Sequence, residues 1–318
     1  MNFKRDCTRR EALGRLSAVA ASAAWLSSTR WAAADGTATD DGPVHHFRYA
    51  LASSMYGKCE LREVMEQVRP TGAEGIDLWP LVHGNQREQL DEWGEDRFKD
   101  ELARLGIRLS CLTQYKLGPF GLNDEMALAE RLGCSLIVTG AVGPKGLTGD
   151  ALRRGVDEFM TKMRDPLARA ADHGVTIAIE NHGGGLMDSA ESVRCLCEAA
   201  ADKPLAIALA PYHLPQDSED LARLIRDIGP RLVMFYAWQH GMGCMEAQPK
   251  EQELLQLPGK GDLDFGPIVA ALAEIEYQGL TEIFMHPYPR GVPILDSTAE
   301  VTSQIIESRD FLESLWPA

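Results

Sequence analysis

From His46 onward the chain repeats one pattern: a short, β-rich apolar run, then a longer stretch with apolar residues at helical spacing. The apolar runs predict strands at 47–53, 75–79, 107–112, 135–139, 175–180, 205–210, 232–238 and 280–285. Seven helical stretches separate these eight runs and an eighth helix follows the last. Such alternation implies parallel strands joined by right-handed crossovers. The helices carry their own punctuation. Leu221, Leu224, Ile225 and Ile228 form one apolar stripe, closed by Gly229. Asp188 with Glu191 reads as a capping box ahead of Val193, Leu196 and Ala200, and Ser297 with Glu300 opens the last helix through Val301 and Ile305. Asp165 places a cap residue before Pro166 at a first helical position, and Gly174 ends that helix just before a strand.

The stretch 46–318 is close to the roughly 250 residues typical of a (β/α)8 barrel. An open, doubly wound sheet is the competing architecture, but its dinucleotide and P-loop fingerprints are absent, and eight regular units favour closure. No Ser/Gly linker or change of composition divides the chain. The expectation is an α/β fold: one TIM barrel over 46–318, preceded by a linker at 35–45.

The first 34 residues fall outside that pattern. Lys4, Arg5, Arg9, Arg10 and Arg15 make a basic head, Leu16 to Leu26 a mild Ala-rich apolar run, and Ala32 to Ala34 a small-residue cleavage region. The Arg9–Arg10 pair reads as a twin-arginine leader, or else as an ordinary secretory signal with a chance arginine pair. Either reading places the mature protein in the periplasm or otherwise outside the cytoplasm. The apolar run is too short for a permanent membrane anchor. Without segment 1–34, which holds six Lys/Arg and two Asp/Glu, 26 basic and 45 acidic residues remain, a net charge of −19. So acidic a surface repels phosphate backbones and argues against nucleic acid as a partner. Six cysteines remain without a C-x-x-C pair, which argues against a structural zinc site and suits small buried apolar residues.

In such barrels the residues at the C-terminal strand ends build the site. Strand five ends on Glu180, followed by Asn181, His182 and the loop Gly183 to Gly185. A carboxylate there can ligate a cation or move a proton, or it can serve a structural ion pair. His213 follows strand six, as a substrate contact or as a loop histidine bonded to backbone. Tyr236, Trp238 and His240 share one face by the two-residue period, as do Glu282, Phe284 and His286. Arg290 lies in the next loop, either binding an anionic group or facing solvent. Trp79 and His83 after strand two, and Gln114 and Lys116 after strand three, complete the set of substrate contacts.

Three segments carry a family resemblance. Gly174-Val-Thr-Ile-Ala-Ile-Glu-Asn-His-Gly-Gly184 resembles the fifth-strand signature of the xylose isomerase-like barrels, the sugar phosphate isomerase/epimerase group. Leu257-Pro-Gly-Lys-Gly-Asp-Leu-Asp-Phe265, followed by Ala271-Leu272 and Tyr277-Gln-Gly279, resembles the group's segment between strands seven and eight. Ala73-Glu-Gly-Ile-Asp-Leu78 extends the likeness toward the start. The resemblance implies one divalent cation (Mn, Mg, Co or Zn) held by Glu, Asp, His and Glu on strands five to eight, and no nucleotide cofactor. It also implies two glutamates that move a proton beside a substrate carbonyl. Glu180 matches the first ligand, and His213 matches a histidine that follows the strand-six Asp. Ala210, Tyr236 and Phe284 stand where the other three ligands are expected, so Glu180, His240 and His286 become the alternative, nitrogen-rich ligand set.

The expected function is an exported isomerase or epimerase of a sugar or polyol ketone, or a lyase at the same carbon. Glu180, Glu282 and His213 are its acid–base groups; His182, Trp79, Gln114, Lys116, Trp238 and Arg290 are its substrate contacts. A carbohydrate-binding barrel without turnover is the alternative, because three ligand positions are lost. An abasic-site nuclease, also within the group, conflicts with the acidic surface. Sequence leaves the substrate and the oligomeric state undetermined.

Overall fold

Eight parallel strands close into a barrel in chain order: β1 (Arg48–Ala52), β2 (Gly75–Leu78), β3 (Arg108–Thr113), β4 (Leu136–Gly140), β5 (Thr176–Glu180), β6 (Leu205–Leu209), β7 (Leu232–Ala237) and β8 (Leu280–Ile283). β8 returns to β1 through the pairs Arg48↔Leu280 and Tyr49↔Thr281, so no strand edge is left open. The computed structural model describes residues 45–201, 203–240 and 246–317; the expected leader and nearly all of the linker lie outside them. Every strand sits inside the expected apolar runs to within a residue or two.

The strands are apolar on both faces because one face meets the barrel interior and the other the helical layer. In β6 all five residues, Leu-Ala-Ile-Ala-Leu, are buried. The helix Ser218–Ile228 buries the expected stripe Leu221, Leu224, Ile225 and Ile228 and ends at Gly229. The last helix, Thr298–Ser314, opens on the expected box: the Glu300 amide donates to Ser297 Oγ, and the Ser297 amide donates to the Glu300 carboxylate.

The box expected at Asp188 and Glu191 is displaced by one residue. Ser189 caps helix Ala190–Ala199, and Ser192 closes the reciprocal bond. Asp188 and Glu191 instead accept the Gly146 and Gly149 amides, tying down the loop after β4. Asp165 also moves inward. The helix Arg164–Asp172 starts two residues earlier than expected, so Asp165 falls in its first turn and makes no side-chain cap.

The predicted strands at 75–79, 205–210, 232–238 and 280–285 run one or two residues too long at their C-terminal ends. Trp79, Ala210 and Trp238 follow the last ladder residues there, the Phe284 amide makes a last bond to the Ala237 carbonyl, and Trp79, Trp238 and Phe284 line the barrel mouth. The Trp79 amide, for example, donates to Ser53 Oγ rather than to a neighbouring strand.

Beneath that mouth the interior holds a polar layer. Asp77 of β2 and Glu282 of β8 are both fully buried and interact electrostatically, while Asp77 Oδ1 and both Glu282 oxygens have no hydrogen-bond partner among the described residues. β1 separates their strands, so only the barrel interior can bring them together. Thr113 Oγ1 donates to Asp77 Oδ2 at 2.6 Å. Burial raises both carboxyls above their ordinary values, and the nearby Asp77 raises Glu282 further.

Candidate active site

The loops after β2, β3, β4, β5, β6 and β8, with Trp238 after β7, enclose a cavity of about 330 Å³ at the C-terminal mouth. Its walls are aromatic. Phe284 is the centre of the cluster, with Trp79 stacked against it at 5.1 Å and Trp238 edge-on at 5.1 Å. Tyr115 closes the side next to Trp79, with ring centres 5.6 Å apart. Tyr212 stacks on Trp238 at 3.8 Å and nearly parallel, and Trp238 Nε1 donates to Gln256 Oε1. Gln256 in turn donates to the His286 carbonyl, so β7 and β8 present their aromatic ends as one fixed surface.

Into this apolar bowl project one carboxyl group and four imidazoles. Glu180 ends β5, and its Oε1 lies 4.0 Å from His213 Nε2. The amide of Asn181 clamps the end of β6 by bonding both the N–H and the C=O of Ala210. The following turn, Pro211–His213, then carries His213 to Glu180. His182 packs on His213 with ring centres 4.2 Å apart, and its Nδ1 accepts the Gly184 amide, which leaves Nε2 to carry the proton. His83 and His286 form a second pair at 4.5 Å. Arg290 completes the lining.

Burial decides the protonation of these groups. It raises the Glu180 carboxyl well above its ordinary value, opposed by the positive charge of Arg290. Burial also lowers His213 to about 3 and His83 to about 4, helped by neighbouring imidazoles and by Arg290. His182 and His286 shift downward for the same reasons. Burial thus favours the protonated form of Glu180 and the neutral form of the imidazoles around it. A neutral imidazole accepts a proton and a carboxylic acid donates one, so the 4.0 Å pair can do both tasks on one bound molecule.

Several expected contacts are in place: Glu180, His182, His213, His286, Trp79, Trp238 and Arg290 all line the cavity. Others are not. His240 is exposed, its amide donating to Gln216 Oε1 and its ring lying against Tyr212. β7 ends at Ala237, so the two-residue period that would carry His240 inward stops before it. Glu282 is not part of the cavity lining, because Phe284, two residues on, lies between it and the mouth. Gln114 is buried and donates to Glu125, a scaffold contact. Lys116 is exposed and borders a neighbouring cavity instead.

These placements bear on a cation. Glu180, His240 and His286 do not converge, and among the described residues no group of three or more His, Cys, Asp or Glu is arranged to hold a metal ion. Ala210 and Phe284 offer no ligand atom where the resemblance implies carboxylates. Tyr236, where it implies histidine, is buried with its hydroxyl unpartnered among the described residues. The donor set does not fit the family's cation.

Asp77 is the feature that sequence reading missed. Its signal was available: a carboxylate between Ile76 and Leu78 in a strand buried on both faces has to find a polar partner.

The sequence profile of the xylose isomerase-like TIM barrel matches residues 65–315. The chain belongs to this family. Comparison with curated proteins gives no match. Among solved structures, the barrel resembles the IOLI protein, solved with a bound zinc atom, at 14% identity and a TM-score of 0.66, covering 86% of this chain and 100% of that one. It resembles the probable 3-DHS dehydratase AsbF of Bacillus anthracis at 13% identity and 0.62, covering 81% and 97%. A D-allulose 3-epimerase from Methylomonas sp., solved with D-allulose, aligns at 16% identity and 0.62, covering 86% and 98%. At these identities the likeness is one of fold, and this chain's chemistry has to come from its own site.

Proposed function

We propose that this xylose isomerase-like barrel moves a proton beside the carbonyl of a sugar or polyol ketone, as an isomerase or epimerase does. The observation that carries this reading is the Glu180–His213 pair, 4.0 Å apart in an aromatic cavity where burial favours the neutral form of both groups. Glu180 protonates the carbonyl oxygen while His213 Nε2 takes the proton from the adjacent carbon. The C–H electron pair becomes the new C=C bond of an enediol, and the enzyme is left with a carboxylate beside an imidazolium. Returning a proton to the neighbouring carbon gives isomerisation; returning it to the opposite face of the same carbon gives epimerisation. Aromatic walls suit the apolar faces of a sugar ring, and the other imidazoles supply donors and acceptors for its hydroxyl groups.

The test is solvent exchange. The purified protein, incubated with a panel of ketohexoses and keto-sugars in D2O, is expected to place deuterium on the carbon next to the carbonyl, read by proton NMR. No incorporation with any member would defeat the proposal. Because the ligand set does not fit, chelation with EDTA is expected to leave the exchange rate within about twofold. A loss that added Zn²⁺ or Mn²⁺ restores would show that a cation takes part.

The pH profile carries a further expectation. Exchange needs Glu180 protonated and His213 neutral, so it is fastest between the lowered value of His213 and the raised value of Glu180. It falls on the alkaline side as Glu180 loses its proton. Arg290 draws both groups downward. Arg290→Gln should therefore move both limbs of the profile to higher pH, and an unmoved profile would remove Arg290 from this role.

One observation favours a second reading. Ala210, Tyr236 and Phe284 leave Glu180 without the carboxylate partners of the family's cation site, as expected of a barrel that binds carbohydrate without turning it over. Saturable sugar binding with no deuterium uptake would select it.

A further inference from the structure

Beside the active-site cavity lies a second one of about 460 Å³, and the two share the walls Trp79, His83 and Tyr115. Its remaining lining is Pro80, Leu81, Val82 and Lys116, all on the loops after β2 and β3. Leu81 is 43% exposed and Val82 57% exposed. Among the described residues the other large hydrophobic side chains held in solvent are Leu117, Phe120, Val142 and Tyr288. All six stand on the loops after β2, β3, β4 and β8, around the same mouth. A folded protein rarely gathers its exposed apolar groups in one place unless that surface meets a ligand or partner.

The turn that presents Leu81 and Val82 is pinned. The His83 and Gly84 amides both donate to the Pro80 carbonyl, and the Leu81 amide donates to the Glu88 carboxylate. Gln86 further bonds the Gly57 and Cys59 carbonyls. These apolar side chains are thus held outward by a fixed backbone.

We infer that the second cavity binds a flat apolar group, an aryl substituent, attached to the sugar whose reacting end occupies the first cavity. This rests on the sugar site proposed above. The two spaces adjoin at Trp79, His83 and Tyr115, and a molecule that reaches past these side chains occupies both. Tyr115 offers an aromatic wall beside the buried Trp79, and Leu81 and Val82 supply exposed apolar surface on the same lining. The concave form and small volume suit a substituent rather than the broad face of another protein.

The test compares matched methyl and 4-nitrophenyl pyranosides of glucose, galactose, xylose and glucuronic acid by calorimetry. It uses the wild-type protein and the Leu81→Ser/Val82→Ser variant, with circular dichroism confirming the fold. In at least one pair the 4-nitrophenyl member is expected to bind about tenfold or more tighter than its methyl partner, and the variant to cut that advantage to about twofold. Equal affinities within every pair, an advantage that survives the substitutions, or no binding by any member overturns the inference. Equal affinities accompanied by deuterium exchange into ketoses would leave the sugar site standing and remove only the aryl subsite. Binding of 4-nitrophenol as tight as that of its glycosides, with no exchange, would instead remove the sugar site. A concentration-dependent dimer in sedimentation, lost in the variant, would reassign these loops to contact between two copies and overturn the inference as well.

Discussion

Glu180→Gln is expected to slow solvent-proton exchange beside the substrate carbonyl by about 10²- to 10⁴-fold, the range typical for loss of a positioned acid or base. The substitution is nearly isosteric and keeps a neutral polar group at the end of β5, so it removes the transferable proton and little else. Burial already favours the neutral form of Glu180, and the amide imitates that form more closely than it imitates the carboxylate. Folding should therefore be intact at neutral pH and ligand affinity changed by less than about tenfold. The loss should fall on the turnover rate rather than on KM, because the proton moves only in the transition state. A Glu180→Gln protein that exchanges deuterium at the wild-type rate would end the assignment. His213→Gln supplies the complementary arm and should remove the other half of the transfer.

The second large effect concerns stability. Glu282 is wholly buried against Asp77, and burial together with that neighbouring carboxyl raises it well above its ordinary value of 4.5. A carboxyl whose folded value is raised contributes stability that is fully present below the unfolded value and lost as pH rises toward the folded one. As pH rises above 4.5 the unfolded chain ionises this group more readily than the native barrel does, which favours unfolding. Glu282→Gln keeps the shape, lets the amide donate to Asp77, and abolishes that dependence. Urea unfolding should show the stability of the variant relative to wild type growing as pH rises from about 4 to 7, with the midpoint shift disappearing toward pH 4. A difference independent of pH would mean that Glu282 is not raised as described.

A buried pair this costly is out of keeping with a scaffold selected for stability alone. It lies directly beneath Phe284, where the barrel interior gives way to the reaction cavity. Natural sites commonly retain such destabilising groups where rigid placement of the layer above matters more than stability.

Much of the fold was legible along the chain because it depends on local periodicity. Apolar runs such as Ile177 to Ile179 and Leu205 to Leu209 are buried on both faces wherever they lie in a parallel barrel, and the stripe at Leu221 to Ile228 needs only helical geometry. Glu180 was legible for a related reason: a carboxylate that ends an apolar strand has the barrel mouth beside it. His240 was misplaced because the two-residue period was carried past Ala237, where the strand stops. Glu282 was misplaced because a shared face says which residues point inward and nothing about depth. Phe284 lines the cavity, and Glu282, two residues earlier on the same face, does not.

The sequence by itself determined eight strands in order, the family, and the inward carboxyl at residue 180. Tertiary structure alone decided that Glu180 lies beside His213, that Asp77 and Glu282 are buried near each other on the two strands flanking β1, and that the apolar loops after β2, β3, β4 and β8 gather around one mouth. The reason is physical. Periodic burial is fixed by neighbours within a few residues, whereas these contacts join residues 33 to 205 positions apart, and closure of the ring sets their distances.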